Sequence, residues 1–343
     1  MTDPITSVKQ HGKNRNRIGL DIGSSYIKMV EISGDPASPV LTSFGFKNVF
    51  GMSRQEASDS LKEIFSQSGA VISGGINISL SGPSLIVRFI VMPNMDKDTL
   101  RNAIKFEAEK YIPFDVNDCI IDFQILSKDE KDKKLNVLFV AVKKDFVKDK
   151  IRLVEDAGFT VGLVDADNFA ITNSFIRNFP APEKGKTFAV LNIGATTTNL
   201  AIVRDGVLCF VRDMAVGGNN INAEIIKKLA IEKKAAEEIK LDPKDKLVDV
   251  ISCAKVVISG LFDEVKMSFG YYENQTGKSV DEVYLTGGSS SILGLAEIFQ
   301  DTFGANLSSW DPMAFLSMGQ GIDIKKLKEL KHYFAVATGL ALR

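Results

Sequence analysis

A chain of 343 residues with 45% hydrophobic and 25% charged side chains has an ordinary globular composition and the length for two core-forming domains, or one domain with two lobes. The 42 Lys and Arg against 43 Asp and Glu leave a net charge of −1 with no block of like charge, which excludes a general attraction to nucleic acid. Two histidines and three scattered cysteines (Cys119, Cys209, Cys253) argue against a zinc site and a Ser-His-Asp hydrolase, and fit buried thiols in a reducing cytoplasm.

Residues 1–16 are polar and basic, lack the apolar core of a signal peptide and are expected to be disordered. Residues 17–33 predict two strands around a Gly-Ser-Ser turn, with a third strand at 39–49. Leu61, Ile64 and Phe65 give an amphipathic helix over 54–69, stopped by Gly69. A short strand follows at 75–82.

Residues 84–158 then read as an insert: a strand at 84–93, a helix at 95–112 capped by Asp96 or Asp98 and stopped by Pro113, two strands at 118–126 and 134–142 around a charged loop, and a helix at 143–158. That order is enough for a small α+β module. A strand at 159–167 and a helix at 168–179 lead to a Pro/Gly/Lys linker, 180–186. The second half opens with a three-strand meander over 187–218. Helices are predicted from 221 to about Tyr272, a strand, glycine turn and helix over 279–304, and an apolar helix over 332–343. No stretch approaches the roughly 18 apolar residues of a membrane span, so work at a membrane calls for a partner.

The phrase "LDIGSSYIKMVE" (20–31) returns half a chain later as "LNIGATTTNLAI" (191–202), with Asp21 matched by Asn192 and Gly23 by Gly194. Each is a hairpin turn built of Gly and hydroxyl residues. Such turns present backbone N–H groups into a concavity and suit phosphate oxygens. Two of them, one per lobe, can grip a phosphate chain from both sides. The turn "LTGGSSSILGL" (285–295) adds two glycines that let backbone approach a ring or ribose.

These three turns, in this order and spacing, resemble the phosphate-1, phosphate-2 and adenosine motifs of the actin, heat-shock-chaperone and sugar-kinase superfamily. The insert, "VMPNM" before its helix, "FEAEKYIPFD" (106–115), "GGSSSILGL" and "FAVATGLALR" (334–343) resemble the PilM family of type IV pilus assembly proteins, within the FtsA/actin-like superfamily. The resemblance covers roughly 17 to 343. The chain is expected to lack the C-terminal membrane-binding helix of FtsA.

The resemblance implies an α/β, two-lobed, actin-like (ribonuclease H-like) duplicated fold with an inserted FtsA-like α+β subdomain. The first lobe would hold 17–83 and 159–180, the insert (SHS2-like) 84–158, the second lobe 187–220 and 279–327, and a helical subdomain 221–278, with 328–343 returning to the first lobe. ATP or ADP with Mg²⁺ would lie between the lobes.

Asp21 is the residue to hold a metal-bound water, or else caps its own turn. Gly23, Ser24 and Ser25, and across the cleft Gly194, Ala195, Thr196 and Thr197, are the phosphate contacts. Lys28 either reaches a phosphate or is an exposed strand lysine. Asn192 stands where hydrolysing members carry Asp. It lacks the charge that holds a hard cation, which lowers hydrolysis and leaves binding intact. Gly217, Gly218 and Asn219 approach the ribose or phosphates, and Gly287, Gly288 and Ser289 the adenosine. Asp165 is the catalytic candidate, to orient a water, or else a helix cap.

In the PilM family a groove beside the insert carries the N-terminal cytoplasmic peptide of a PilN-like inner-membrane protein. Arg88, Glu107, Tyr111 and Phe114 are the candidates here, although Tyr111 and Phe114 equally suit the insert's own core. The expectation is a cytoplasmic, ATP-binding scaffold held at the inner membrane by that partner. A homo-oligomer or ring is among the expectations, with no nucleic acid and no direct membrane insertion. The alternatives are an active ATPase or small-molecule kinase, and an FtsA-like filament protein.

Overall fold

The computed structural model describes residues 16–179, 184–292, 294–303 and 307–343. Residues 1–15 and 180–183, which carry nearly all of the expected tail and most of the expected linker, lie outside the described residues.

The first lobe opens with β1 (Arg17–Ile22), β2 (Tyr26–Ser33), β3 (Val40–Asn48), α1 (Arg54–Ser68) and β4 (Ile76–Leu80). Helix α1 starts at a capping box, Ser53 with Glu56, and ends at Gly69 in the left-handed conformation (φ 69°). The insert follows as β5 (Leu85–Pro93), α2 (Lys97–Ala108), β6 (Cys119–Asp129) and β7 (Lys134–Lys143). Asp96 caps α2, accepting from the amides of Asp98 and Thr99. The chain returns through α3 (Lys144–Asp156), β8 (Val161–Ala166) and α4 (Asp167–Asn178).

The second half comprises β9 (Thr187–Ile193), β10 (Thr198–Arg204), β11 (Val207–Met214), α5 (Gly218–Leu229), α6 (Lys233–Leu241), α7 (Leu247–Thr276), β12 (Glu282–Thr286), α8 (Leu295–Phe303) and β13 (Leu307–Ser309). The chain ends with β14 (Ser317–Met318), α9 (Ile324–Leu330) and α10 (Ala335–Ala341).

The duplication in the sequence is a duplication of topology. β1, β2 and β3 form an antiparallel meander with β4 added parallel to β1, and β9, β10, β11 and β12 repeat that plan. The full sheets run β14-β3-β2-β1-β4-β8 and β11-β10-β9-β12-β13, while the insert has its own sheet, β5-β7-β6.

Between the two large sheets lie α4 and α10. Their Ala170, Phe175, Val336 and Leu340 pack with Phe188 and Val190 of β9 and Tyr284 of β12. The helices meet as backbone against backbone, since a Cβ at Gly339 would lie 1.7 Å from the Ala170 carbonyl oxygen. One at Gly19 of β1 would lie 2.0 Å from that of Ala337. The last helix thus returns to the first lobe, but it begins only at Ala335, after a 3-10 turn over Lys331–Tyr333.

Helix α3 differs from the sequence reading. Its Leu153 and Val154, with Ala157 just beyond, are buried with Ile18, Leu20 and Ile78 in the first lobe's core, not in the insert. The insert's core is α2 on one face of its sheet, through Leu100, Ile104, Val137 and Phe139. Its other face packs on the second lobe, Val87 and Leu138 meeting Ala201 and Val211. The amphipathic pattern of α3 requires a buried face but does not say which core receives it.

Candidate functional site: an interlobe cleft

The two Gly-containing turns have the same construction. The amide of Gly23 donates to the carbonyl of Tyr26 (3.1 Å), and that of Gly194 to the carbonyl of Thr197 (3.0 Å). A Cβ at Gly23 would lie 2.9 Å from the Tyr26 oxygen, and one at Gly194 2.7 Å from the Thr197 oxygen, so both closures need glycine. The turns face each other across the lobes, with Ser24 Oγ and Thr196 Oγ1 3.3 Å apart. They border a cavity of about 540 Å³. That volume lies in the range of small-molecule and cofactor sites.

Of the expected nucleotide contacts, Asp21, Gly23, Ser24, Ser25, Lys28, Asn192, Gly194, Ala195, Thr196, Thr197, Gly287, Gly288 and Ser289 line this cavity. Lys28 is no exposed strand lysine. It faces Asp21 across the β1–β2 hairpin, with Nζ 2.8 Å from Oδ2.

Gly217, Gly218 and Asn219 do not line the cavity; they brace the second turn from behind. The amide of Gly218 donates to the Gly194 carbonyl (2.9 Å) and that of Asn219 to the Ala195 carbonyl (2.7 Å), while the Gly217 amide is held by Asn220 Oδ1. Amides so engaged have no proton to offer a ligand. Asp165 is likewise outside the cavity: its Oδ2 is 2.7 Å from Nε of Arg343, and its Oδ1 accepts from the Ala166 amide at 2.9 Å.

The carboxylate in the cleft is Asp167, two residues on and the first residue of α4. Ser79 Oγ donates to it at 2.6 Å. Burial, with Asp21 nearby, pushes its pKa up to about 6. Lys150 of α3 reaches the same region, donating to the Ile22 carbonyl at 2.8 Å. Burial pulls its pKa down, while Asp167 and Asp21 pull it up.

At the far end, Lys240 and Glu237 of α6 form a buried ion pair at 2.6 Å. The ring of Tyr333 underlies the third turn, where a Cβ at Gly288 would lie 2.3 Å from Cε1. That turn is pinned by the Gly287 amide, which donates to the His332 carbonyl (2.8 Å), and by Ser289 Oγ, which donates to the Gly194 carbonyl (3.0 Å).

Sequence reasoning missed Asp167, Lys150, Glu237, Lys240 and Tyr333. Only the "DAD" of 165–167 carried a signal, and it does not say which of its two aspartates faces the cleft. In β4 and β8, Ser79 pairs with Asp165, yet it is Asp167, just past the strand end, that Ser79 bonds.

On the insert, Arg88 and Phe139 are paired across β5 and β7. The Tyr111 ring lies 6.4 Å from that of Phe139, and Phe114 packs into the insert's core under the Lys143 ammonium. Glu107 is paired with Lys110 (2.8 Å). Arg88 is exposed and donates to the Val87 carbonyl. No helix among the described residues is long and apolar enough to cross a membrane.

The sequence model of the family described as "Type IV pilus assembly protein PilM" matches residues 19–343. The chain belongs to the PilM family. Its fold is similar to that of a solved "PilM-PilN type IV pilus biogenesis complex", at 27% identity, with 95% of this chain and 98% of that chain covered and a TM-score of 0.85. The ethanolamine utilization protein EutJ from Carboxydothermus hydrogenoformans shares the fold at 15% identity, covering 96% of this chain and 89% of that one, with a TM-score of 0.56. So does the activator of the 2-hydroxyisocaproyl-CoA dehydratase from Clostridium difficile, solved with bound ADPNP, at 11% identity, 96% and 93% coverage and a TM-score of 0.50. Among curated proteins, EutJ of Escherichia coli (strain K12) is 28% identical over 116 residues. That match spans 34% of this chain and 38% of the relative's length. The PilM family chain therefore has the two-lobed, duplicated actin-like fold.

Proposed function

We propose that this protein is a nucleotide-holding scaffold of type IV pilus assembly, with ATP or ADP between its lobes and the N-terminal peptide of a PilN-like inner-membrane protein docked beside its insert. It works at the cytoplasmic face of the inner membrane through that partner. The observation that carries the reading is the pair of matched glycine turns, facing each other 3.3 Å apart at the edge of a cavity of about 540 Å³. Lys28 and Lys150 in the same cavity suit phosphate charge. The adenosine would lie over Gly287 to Ser289, beside Glu237, Lys240 and Tyr333.

For Mg²⁺ the residues fit as an outer contact only. Among the described residues no group of three or more His, Cys, Asp or Glu could hold a metal. Mg²⁺ at nucleotide sites keeps its waters and takes one or two carboxylates besides phosphate. Asp21 suits that part through water. With Asn192 neutral opposite it, turnover is expected to be slow.

Docking of a PilN-like tail is supported by the family and by the similarity to a solved PilM-PilN complex. Arg88, Glu107, Tyr111 and Phe114 of the insert are the proposed contacts.

The test is a long incubation of purified protein with ATP and Mg²⁺, with bound nucleotide and released phosphate measured together. Stable binding with negligible release supports the scaffold. Sustained release favours the second reading, an active ATPase. The observation behind that reading is Asp167, a cleft carboxylate with a pKa near the operating range of a general base. Asp167→Asn would then abolish release.

A further inference from the structure

We infer that Asn192 is a positioning residue that ties the occupant of the phosphate site to the closure of the two lobes, through a one-way chain of hydrogen bonds that ends on Asp213. The inference deepens the nucleotide reading and rests on it for the identity of the occupant.

Asn192 faces Asn199 across β9 and β10, and Asn199 faces Asp213 across β10 and β11. Asn192 Nδ2 donates to Asn199 Oδ1 (2.8 Å), and Asn199 Nδ2 donates to Asp213 Oδ1 (2.8 Å). Asp213 also accepts from Asn168 Nδ2 (2.7 Å) and, at Oδ2, from the amide of Gly82 (2.7 Å). Gly82 lies on the first lobe's link from β4 to β5, and Asn168 on α4 between the lobes. Asp213 belongs to the second lobe, so this one carboxylate holds it onto the rest of the molecule at two points.

The direction of the chain is forced. A carboxylate only accepts, so Asn199 must turn its NH₂ to Asp213 and its oxygen to position 192. Asn199 is 2% exposed, so a mismatched partner there is costly. Position 192 must therefore donate, and an aspartate there has no proton to give. The first hairpin makes the opposite choice: at the equivalent cross-strand pair, Asp21 and Lys28 close on each other at 2.8 Å. The other end of the relay reports on the cleft. Asn192 lines it, and its Oδ1 lies against the third turn, where a Cβ at Gly287 would come within 2.7 Å. At the latch end, Gly82 lies just before β5, whose Val87 packs on Val211 of the same strand as Asp213. Loosening the latch therefore loosens the insert's seat on the second lobe.

Amide exchange at Gly82 in the nucleotide-free, full-length protein reads the latch, and calorimetry with ATP on the same samples reads the occupant. Asn192→Asp should speed Gly82 exchange about tenfold or more, since it leaves two acceptors facing in a buried chain, whereas Asp213→Asn alone should stay within about threefold of the parent, because the amides at 192, 199 and 213 can all turn over and run the chain backwards. Combining Asn192→Asp with Asp213→Asn should bring exchange back to within about threefold of the parent. The chain then runs backwards: the amide at 213 donates to Asn199, and Asn199 donates to the carboxylate at 192. Asn168 can turn to it its own Oδ1, which is buried without a partner here.

A packing defect would not be mended by a second substitution, so this rescue separates the relay from a merely structural role. Unchanged exchange in Asn192→Asp, or a double variant that exchanges no more slowly than Asn192→Asp, overturns the inference. If Asn192→Asp does not fold, the double variant decides: folded supports the relay and unfolded overturns it. A parent that binds no ATP would sink the nucleotide reading while leaving the nucleotide-free exchange result standing.

Discussion

Replacing Asp167 by Asn should remove a pH dependence that this carboxyl imposes on the whole fold. The group is buried at the first position of α4, bonded to Ser79, and its pKa rises from an ordinary 3.8 to about 6. Burial is the larger cause and the Asp21 charge the second. An acid whose folded pKa is raised binds its proton more tightly in the native state than in the unfolded chain. Its favourable contribution is therefore full below about pH 4 and is lost as pH rises through the folded value near 6. A gap of about two units, at about 1.4 kcal/mol each, amounts to about 3 kcal/mol. The amide does not titrate. Between pH 4 and pH 7 the unfolding free energy of Asp167→Asn should gain on the parent by up to about 3 kcal/mol. Lys150, whose pKa burial pulls down, loses a neighbour in the variant, and the same comparison in a Lys150→Met background removes its own titration from the slope. Urea unfolding of both proteins at pH 4, 5, 6 and 7 gives the comparison. Parallel profiles would refute the reasoning, and a difference of opposite sign would mean that Lys150 holds Asp167 ionised in the fold.

Gly339→Ala should cost about 2–4 kcal/mol, because its Cβ meets the Ala170 backbone oxygen at 1.7 Å and neither helix has a side chain to move aside; thermal unfolding would show a lower midpoint, and an unchanged one would contradict the packing. Lys240→Met should destabilise by about 3–5 kcal/mol by leaving Glu237 buried without its cation, and adding Glu237→Gln should recover most of that loss in a double-mutant cycle. Tyr111→Ala should weaken binding of a PilN-like tail peptide about tenfold in a fluorescence titration with no change in ATP affinity; equal effects on both would place Tyr111 in the fold and not at the partner.

The three glycine turns were legible in the sequence because their chemistry is local. A turn that closes an amide onto a carbonyl three residues away, with hydroxyls at its tip, needs its residues in one short run. Duplication then supplied the second half of the fold. What was not legible depends on partners distant in the chain. Gly217 to Asn219 look like a ligand-binding helix start, but their amides are taken by Gly194, Ala195 and Asn220, two of which lie a strand pair away. Asp165 and Asp167 are alike in sequence, and Arg343, at the other end of the chain, claims the first. Glu237 and Lys240 sit in a run of charges that reads as a solvated helix face, and only the fold of α5 and α6 over the cleft buries them. Helix α3 shows a buried face with no mark of which core buries it.

The same contacts predict where the lobes turn. Helix α10 touches α4 and β1 through glycine and backbone, at distances no side chain could enter, so these elements can move only as one body. On the opposite side, α4 meets the second sheet through large rings, Phe175 against Phe188, Tyr284 and Trp310, with centroids 5.1–5.9 Å apart. Aromatic faces tolerate sliding and small rotations that interlocked backbone does not. The lobes should therefore turn at the aromatic layer, with α4 and α10 carried along by the first lobe. Asp213 lies on the far side of that layer from Gly82 and Asn168. A rotation there must break or make its hydrogen bonds to both, which is why one carboxylate suffices to latch a cleft lined by two whole lobes.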